Sequence, residues 1–233
     1  DRSVSRGLGD VYKRQDINRQ FPGNFDGDTT SRLAAHLLDK TKGFRYGIHF
    51  PSFYRKGDFI PHVRMPSTGK ESVSLANLFG LPYVVTSKHR NYDKTTLNYN
   101  WQINGTDAFS VYSGATGNLD EPLAKQAVSS VLRFLTRMGI LKYNCHNGYI
   151  ASIIEEEDMV QVRTKAAGFF RRFAGVNEEV QRGQMLGEIL DPYEGNRLAE
   201  VRSNVNGIVF YAANQPTILE NATAFQIIKK QHE

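Results

Sequence analysis

Cysteine is almost missing from this chain: Cys145 is the only one in 233 residues. That excludes an intramolecular disulfide framework and a cysteine-rich zinc cluster, and it fits a reducing compartment. Long apolar runs are missing too, since no stretch reaches the roughly 18 consecutive apolar residues of a membrane-spanning helix. The N-terminus also lacks the charged, apolar and small-residue regions of a signal peptide. A cytoplasmic, soluble protein with no membrane partner is therefore expected. The excess of one charge sign is small. The net charge is +5, and residues 1–15 carry four basic and two acidic side chains, so setting them aside lowers it to +3. The basic residues are scattered in short clusters such as Arg171, Arg172 and Lys229, Lys230, with no arginine-rich stripe, which excludes a nucleic-acid partner. Nothing in the sequence fixes an oligomeric state.

What remains is an ordinary globular composition, 40% hydrophobic and 23% charged, long enough for two domains. The opening DRSVSRGLGDVYKRQ has no apolar periodicity and resembles translated sequencing adapter, so residues 1–15 are expected to be an artefactual leader. Residues 16–143 read as an incomplete α/β domain and residues 144–233 as a small all-β domain.

The pattern behind that division changes along the chain. Leu33, Leu37 and Leu38 recur at helical spacing between Thr29 or Thr30 and Asp39, with Thr30 or Ser31 as N-cap. FRYGIHF (44–50) reads as a short buried strand stopped by Pro51. A helix-like run from Glu71 to Phe79, a strand LPYVVT (81–86) and a strand AFSVY (108–112) follow. Leu123, Ala127, Val128, Val131, Leu132 and Leu135 mark an amphipathic helix over Glu121–Met138 that ends at Gly139.

Beyond residue 145 short β-rich runs, MVQVRT, GFFRRF, QMLGEIL, AEVRS and GIVFYA, are separated by Gly, Asn and Pro. Gly168–Leu190 and Gly207–Ile228 look like diverged copies of one unit. This arrangement resembles the barrel-sandwich hybrid module of biotinyl and lipoyl carriers. A carrier role is not expected, because the stretch between the copies, DPYEGNRLAEVRSNVN, holds no lysine to modify.

The most specific motif is Asp16, Ile17, Asn18, Arg19, Gln20, Phe21, Pro22 and Gly23. Arg19 offers a planar fork suited to a carboxylate, Asn18 adds a neutral donor and acceptor, and Pro22-Gly23 favours a turn. The alternative is that Arg19 pairs with Asp16 or Asp26 in a polar loop. The motif is similar to the D-L-N-R-x-F-P-G signature of the succinylglutamate desuccinylase/aspartoacylase family. GDFIPHVRM, the helix ending TRMGIL and GQMLGEILDPY extend the resemblance over residues 16–230.

The resemblance implies a truncated zinc-carboxypeptidase-like mixed sheet with helices, followed by the β module. It also implies a zinc-dependent amide hydrolase acting on a small anionic N-acyl amino acid, with Asn18, Arg19 and Arg64 near the substrate. In the family zinc is held by an H-x-x-E motif and a second histidine after a central strand, and a glutamate is the general base. This chain departs from that pattern in three places. It has no H-x-x-E, which the leader reading assigns to a lost upstream segment. Pro51 stands at the position assigned to the second histidine, leaving His49, two residues earlier, as a substitute ligand or as a hydrogen-bonded histidine. Tyr112 stands at the glutamate position, and a hydroxyl with an ordinary pKa near 10 is a poor base. Arg64 is alternatively a surface arginine on an edge strand. The expectation is an N-acyl amino acid deacylase in the intact parent, with Zn2+ there but not in this chain, which is itself inactive. The rival is a non-catalytic relative that binds an anionic ligand or mediates assembly.

Overall fold

A computed structural model describes residues 16–230 except 54, 89, 90, 92 and 116–118. Residues 1–15, expected to be a leader, lie outside the described residues. The chain forms two compact units, each assembled from separated stretches. The first takes Val63–Val111, Leu132–Ile153 and the chain up to Pro51, and the second takes Ser52–His62, Tyr112–Val131 and Ile154–Glu233. The second unit thus draws on residues well before 144.

In the first unit the motif segment forms a single 3-10 turn, Ile17–Arg19, and helix α1 spans Thr29–Lys40. The N-cap of α1 is Asp28, whose carboxylate accepts from the Ser31 N–H at 2.9 Å, not Thr30 or Ser31. An aspartate one residue earlier satisfies the same orphan donor and adds a favourable charge at the helix N-terminus. The buried face also differs from the leucine stripe. Ala34 and Ala35 are buried while Leu33 is 54% exposed, because small residues let α1 lie close to its neighbours. Phe21, Ala34, Leu97, Trp101 and Ala108 form one core, with Ile17, Leu37 and Leu38 packed on it.

Strands β1 (Tyr46–His49), β3 (His62–Ser67), β4 (Tyr83–Lys88), β5 (Asp107–Tyr112) and β6 (Ser152–Glu155) make a sheet in the order β1-β5-β3-β4-β6. β1 and β5 are parallel, with His49 opposite Ser110. Helix α2 (Val73–Ala76) continues as a 3-10 turn to Phe79, and Gly80 closes it at φ +65°. Helix α3 (Leu97–Ile103), which has no counterpart in the sequence reading, is capped by the Thr96 hydroxyl. Its residues NYNWQI carry too few aliphatic side chains for an apolar period to show. Helix α4 spans Glu121–Arg137, and Gly139 follows at φ +71°. On α4, Phe134 is fully buried among Phe79, Phe109 and Tyr46, at ring-centroid distances of 4.5, 5.2 and 5.6 Å.

The second unit holds β2 (Gly57–Phe59), β7 (Met159–Arg163), β8 (Gly168–Arg172), β9 (Glu179–Val180), β10 (Met185–Leu190), β11 (Arg197–Arg202), β12 (Gly207–Ala213), β13 (Thr217–Ile218) and β14 (Thr223–Lys229). They form two sheets, β11-β10-β8-β13 and β2-β12-β14-β7, with β9 added on β12. The suspected repeat is visible as a reciprocal exchange. In each copy a first strand pairs with a last strand, β8 with β10 and β12 with β14, while the short middle strand crosses to the other copy, β9 to β12 and β13 to β8.

The two starting glycines behave alike. A Cβ on Gly168 would meet the Leu190 carbonyl oxygen at 2.4 Å, and one on Gly207 the Ile228 oxygen at 2.1 Å. Only glycine lets the backbones approach so closely. The β10–β11 turn, where a carrier would present its lysine, is instead closed by Asp191. Its carboxylate accepts from the Tyr193 and Glu194 N–H groups, which hold it below the usual carboxylate range, the Glu194 bond most strongly. Among the described residues no helix is long and apolar enough to cross a membrane.

Candidate functional site

The motif segment is tied into the fold at several points. Phe21 is buried in the first unit's core, and Gly23 lies against the backbone of α1. Asp16 caps the 3-10 turn through the Asn18 N–H. The Asn18 side-chain oxygen accepts from the Leu97 N–H at 3.0 Å, so the amide oxygen expected to face a substrate is committed to the first turn of α3. Arg19 Nε lies 3.8 Å from Asp16 Oδ2, with the arginine side chain 38% exposed. Such an exposed pair contributes about 0–1 kcal/mol.

His49 ends β1, half-buried, with its ring edge-on to Trp101 at 5.6 Å. Its Nε2 is 2.6 Å from Ser110 Oγ on β5. Ser110 Oγ accepts from Asn98 Nδ2 at 2.8 Å, and Asn98 Oδ1 accepts from Gln102 Nε2 at 2.8 Å. Gln102 Nε2 also donates to the Pro66 carbonyl at 3.2 Å, and the Thr68 hydroxyl donates to Gln102 Oε1. Asn98, Gln102 and Ser110 are 2%, 1% and 6% exposed, so their polar atoms need these partners to stay inside. Asn98 and Gln102 lie four residues apart on one face of α3. Sequence reading missed this row because buried amides leave no apolar pattern; the only trace is the i, i+4 pair behind the Thr96 cap.

Burial holds the His49 imidazole at about 4, below its ordinary 6.5, so the ring is neutral at pH 7. A depressed folded-state value means that the unfolded chain takes up a proton below about pH 6.5 while the folded chain waits until about 4. In metal-free protein, stability is expected to fall as pH drops through that window, by about 2 kcal/mol between pH 7 and 4.5. Urea denaturation at the two pH values should show this extra loss in wild type relative to His49→Gln. Equal losses would contradict it.

Arg64 is half-buried on β3, which lies inside the sheet and not at its edge, and its carbonyl faces Asn98 Nδ2 at 3.5 Å. Tyr112, the last residue of β5, belongs to the second unit. There its ring stacks on the fully buried His62 at 5.0 Å and 10°, with Phe53 and Phe59 edge-on at 5.6 and 6.4 Å. Among the described residues no three His, Cys, Asp or Glu side chains are grouped so as to hold a metal ion. With His49 Nε2 engaged by Ser110, the described donors do not make a three-ligand zinc site.

No protein-family model and no curated protein matches the sequence. Solved structures do match. A succinylglutamate desuccinylase/aspartoacylase from Rhodobacter sphaeroides superposes with a TM-score of 0.77 at 20% identity, over 94% of this chain and 68% of that one. The product-bound ectoine utilization protein EutE (DoeB) from Ruegeria pomeroyi gives 0.79 at 18%, over 92% and 68%. An aspartoacylase family protein from Mesorhizobium loti gives 0.71 at 19%, over 93% and 68%. This is the desuccinylase/aspartoacylase fold. It covers both units of the chain, and the β-rich unit is therefore part of the shared architecture.

Proposed function

We propose that this chain carries the binding half of an N-acyl amino acid amide hydrolase of the desuccinylase/aspartoacylase type. The observation that carries the reading is the coincidence of two resemblances, one of fold and one of motif. The fold match spans 92–94% of the chain in the first two structures, and the eight-residue motif at Asp16–Gly23 lies within the same chain. In this reading Arg19 takes the carboxylate of a small anionic substrate, and Arg64 and His49 lie toward the pocket. The β-rich unit is a barrel-sandwich hybrid built from two exchanged copies.

A zinc ion held in an enzyme of this type would polarise the amide carbonyl. The residues described here supply His49 at most, so the chain's own contribution is to bind and orient. Loss of chemistry with retention of binding is the second reading, and Tyr112 favours it. A phenol stacked among aromatic rings is placed to pack, whereas the general base of this reaction has to take a proton from water.

Calorimetric titration with N-succinylglutamate, with and without added zinc, tests the proposal. Replacing Arg19 with alanine is expected to weaken binding about 10–100-fold, the value of one charge-assisted hydrogen-bond pair of roughly 1.5–3 kcal/mol. Unchanged affinity in that variant, or no binding in wild type, would remove the assignment. Tight stoichiometric zinc lost in His49→Ala would move the chain from the binding reading to the metalloenzyme one.

A further inference from the structure

We propose that Gln102, Asn98 and Ser110 are positioning residues that fix His49 as its Nδ1–H tautomer. The histidine then offers an N–H donor to a carboxylate or carbonyl oxygen of the ligand. The inference rests on the reading above that His49 lies toward the pocket.

Each step follows from which atom is able to donate. The Pro66 carbonyl only accepts, so the Gln102 atom 3.2 Å from it is the amide nitrogen, and Gln102 Oε1 is left to accept from the Thr68 hydroxyl. The same nitrogen lies 2.8 Å from Asn98, whose facing atom is therefore the oxygen. That turns Asn98 Nδ2 toward Ser110 Oγ at 2.8 Å and toward the Arg64 carbonyl at 3.5 Å, two acceptors. Ser110 Oγ accepts a hydrogen bond from Asn98 Nδ2, and its single hydroxyl hydrogen needs an acceptor of its own. His49 Nε2 stands 2.6 Å away as the acceptor for it. An accepting Nε2 in a neutral ring places the proton on Nδ1.

Buried hydrogen-bond chains of this kind polarise in one direction, and reversing the His49 member takes away the acceptor of the Ser110 hydroxyl hydrogen. A metal at Nδ1 needs the opposite tautomer, with Nε2–H pointing at Ser110. Ser110 Oγ would then face two N–H donors and its own hydrogen would have to turn to another acceptor. The row therefore biases His49 toward an anionic or carbonyl oxygen and against a cation.

Long-range proton–nitrogen NMR on the full chain at pH 7, with His49 assigned by comparison with His49→Gln, reads the tautomer directly. Wild type is expected to show the Nδ1–H pattern. Ser110→Ala is expected to lose it in favour of a tautomer mixture, and Ser110→Thr, which keeps a hydroxyl, to restore it. A merely structural serine would not move this signature. An Nε2–H pattern in wild type, or an Nδ1–H pattern that persists in Ser110→Ala, overturns the relay even if the threonine variant does not fold. Adding N-succinylglutamate should shift the Nδ1 resonance. If the Nδ1–H pattern is present but the ligand leaves it unmoved while binding calorimetrically, the ligand-facing role is overturned and the relay stands. If the ligand does not bind at all, the proposed function fails with it.

Discussion

Gly23→Ala is expected to destabilise the protein by more than about 4 kcal/mol, the range reserved for substitutions that force backbone apart. A Cβ at this position would lie 2.3 Å from the Ala35 nitrogen, 2.4 Å from the Ser31 oxygen and 2.8 Å from the Ala35 Cα, all backbone atoms of α1. No rotamer relieves such a contact, so either α1 moves away or the loop from Phe21 does. Both routes open the core in which Phe21, Ala34 and Trp101 pack. The positive φ of +81° adds its own strain. Gly43 separates the two effects. Its φ is +82°, yet a Cβ there meets nothing within 4 Å. Gly43→Ala should therefore cost only the left-handed backbone term, about 1–2 kcal/mol. Chemical denaturation of both variants measures the difference. Similar losses would mean that the close approach to α1 is not what fixes the glycine.

Phe134→Ala is expected to cost about 3–5 kcal/mol, the usual range for emptying a fully buried phenylalanine site. The ring is 0% exposed and stacks on Phe79 at 4.5 Å and 19°, with Phe109 tilted against it. Those neighbours are held from elsewhere: Phe109 lies on β5, and the Phe79 and Gly80 carbonyls both accept from Arg133 Nη1, at 2.7 and 3.2 Å. They are poorly free to collapse into the space, which puts the cost toward the upper end. Val128 on the same helix is 60% exposed, and Val128→Ala should change stability by no more than about 0.5 kcal/mol. A loss below about 2 kcal/mol for Phe134→Ala would show that the cluster repacks.

These two variants also mark where sequence reading was strong and where it was blind. The regular elements with a clear period were legible. The helix expected over Glu121–Met138 appears as Glu121–Arg137, and the strands expected at residues 44–50 and 108–112 appear as Tyr46–His49 and Asp107–Tyr112. The run of short strands after residue 145 was legible for the same reason. Apolar alternation between turn residues is a local property, and the chain writes it down residue by residue. The duplication expected of Gly168–Leu190 and Gly207–Ile228 has its counterpart in the reciprocal strand pairing of the two segments.

Helix α3 was not legible, and neither was the polar row it carries. Asn98 and Gln102 are helical residues whose apolar neighbours are few, and nothing local says that their amides are buried. The stripe on α1 misled in part: Leu33 keeps the period and still faces solvent, while Leu37 and Leu38 pack on the core beside the buried Ala34.

By itself, then, the sequence determined the alternation of helices and strands, the repeated β unit, the single-cysteine character and the Asp16–Gly23 motif with its resemblance. Only the tertiary structure decided what the motif's side chains touch. It set Asn18 on the Leu97 N–H, Gly23 against α1, Tyr112 on His62, and His49 at the end of a row of buried amides. The physical reason is range. Periodicity and capping are fixed by neighbours within a turn or two, whereas the partner of a buried donor comes from another strand or helix. His49 meets Ser110 across 61 residues of chain, and no local pattern records which hydroxyl will stand opposite that ring.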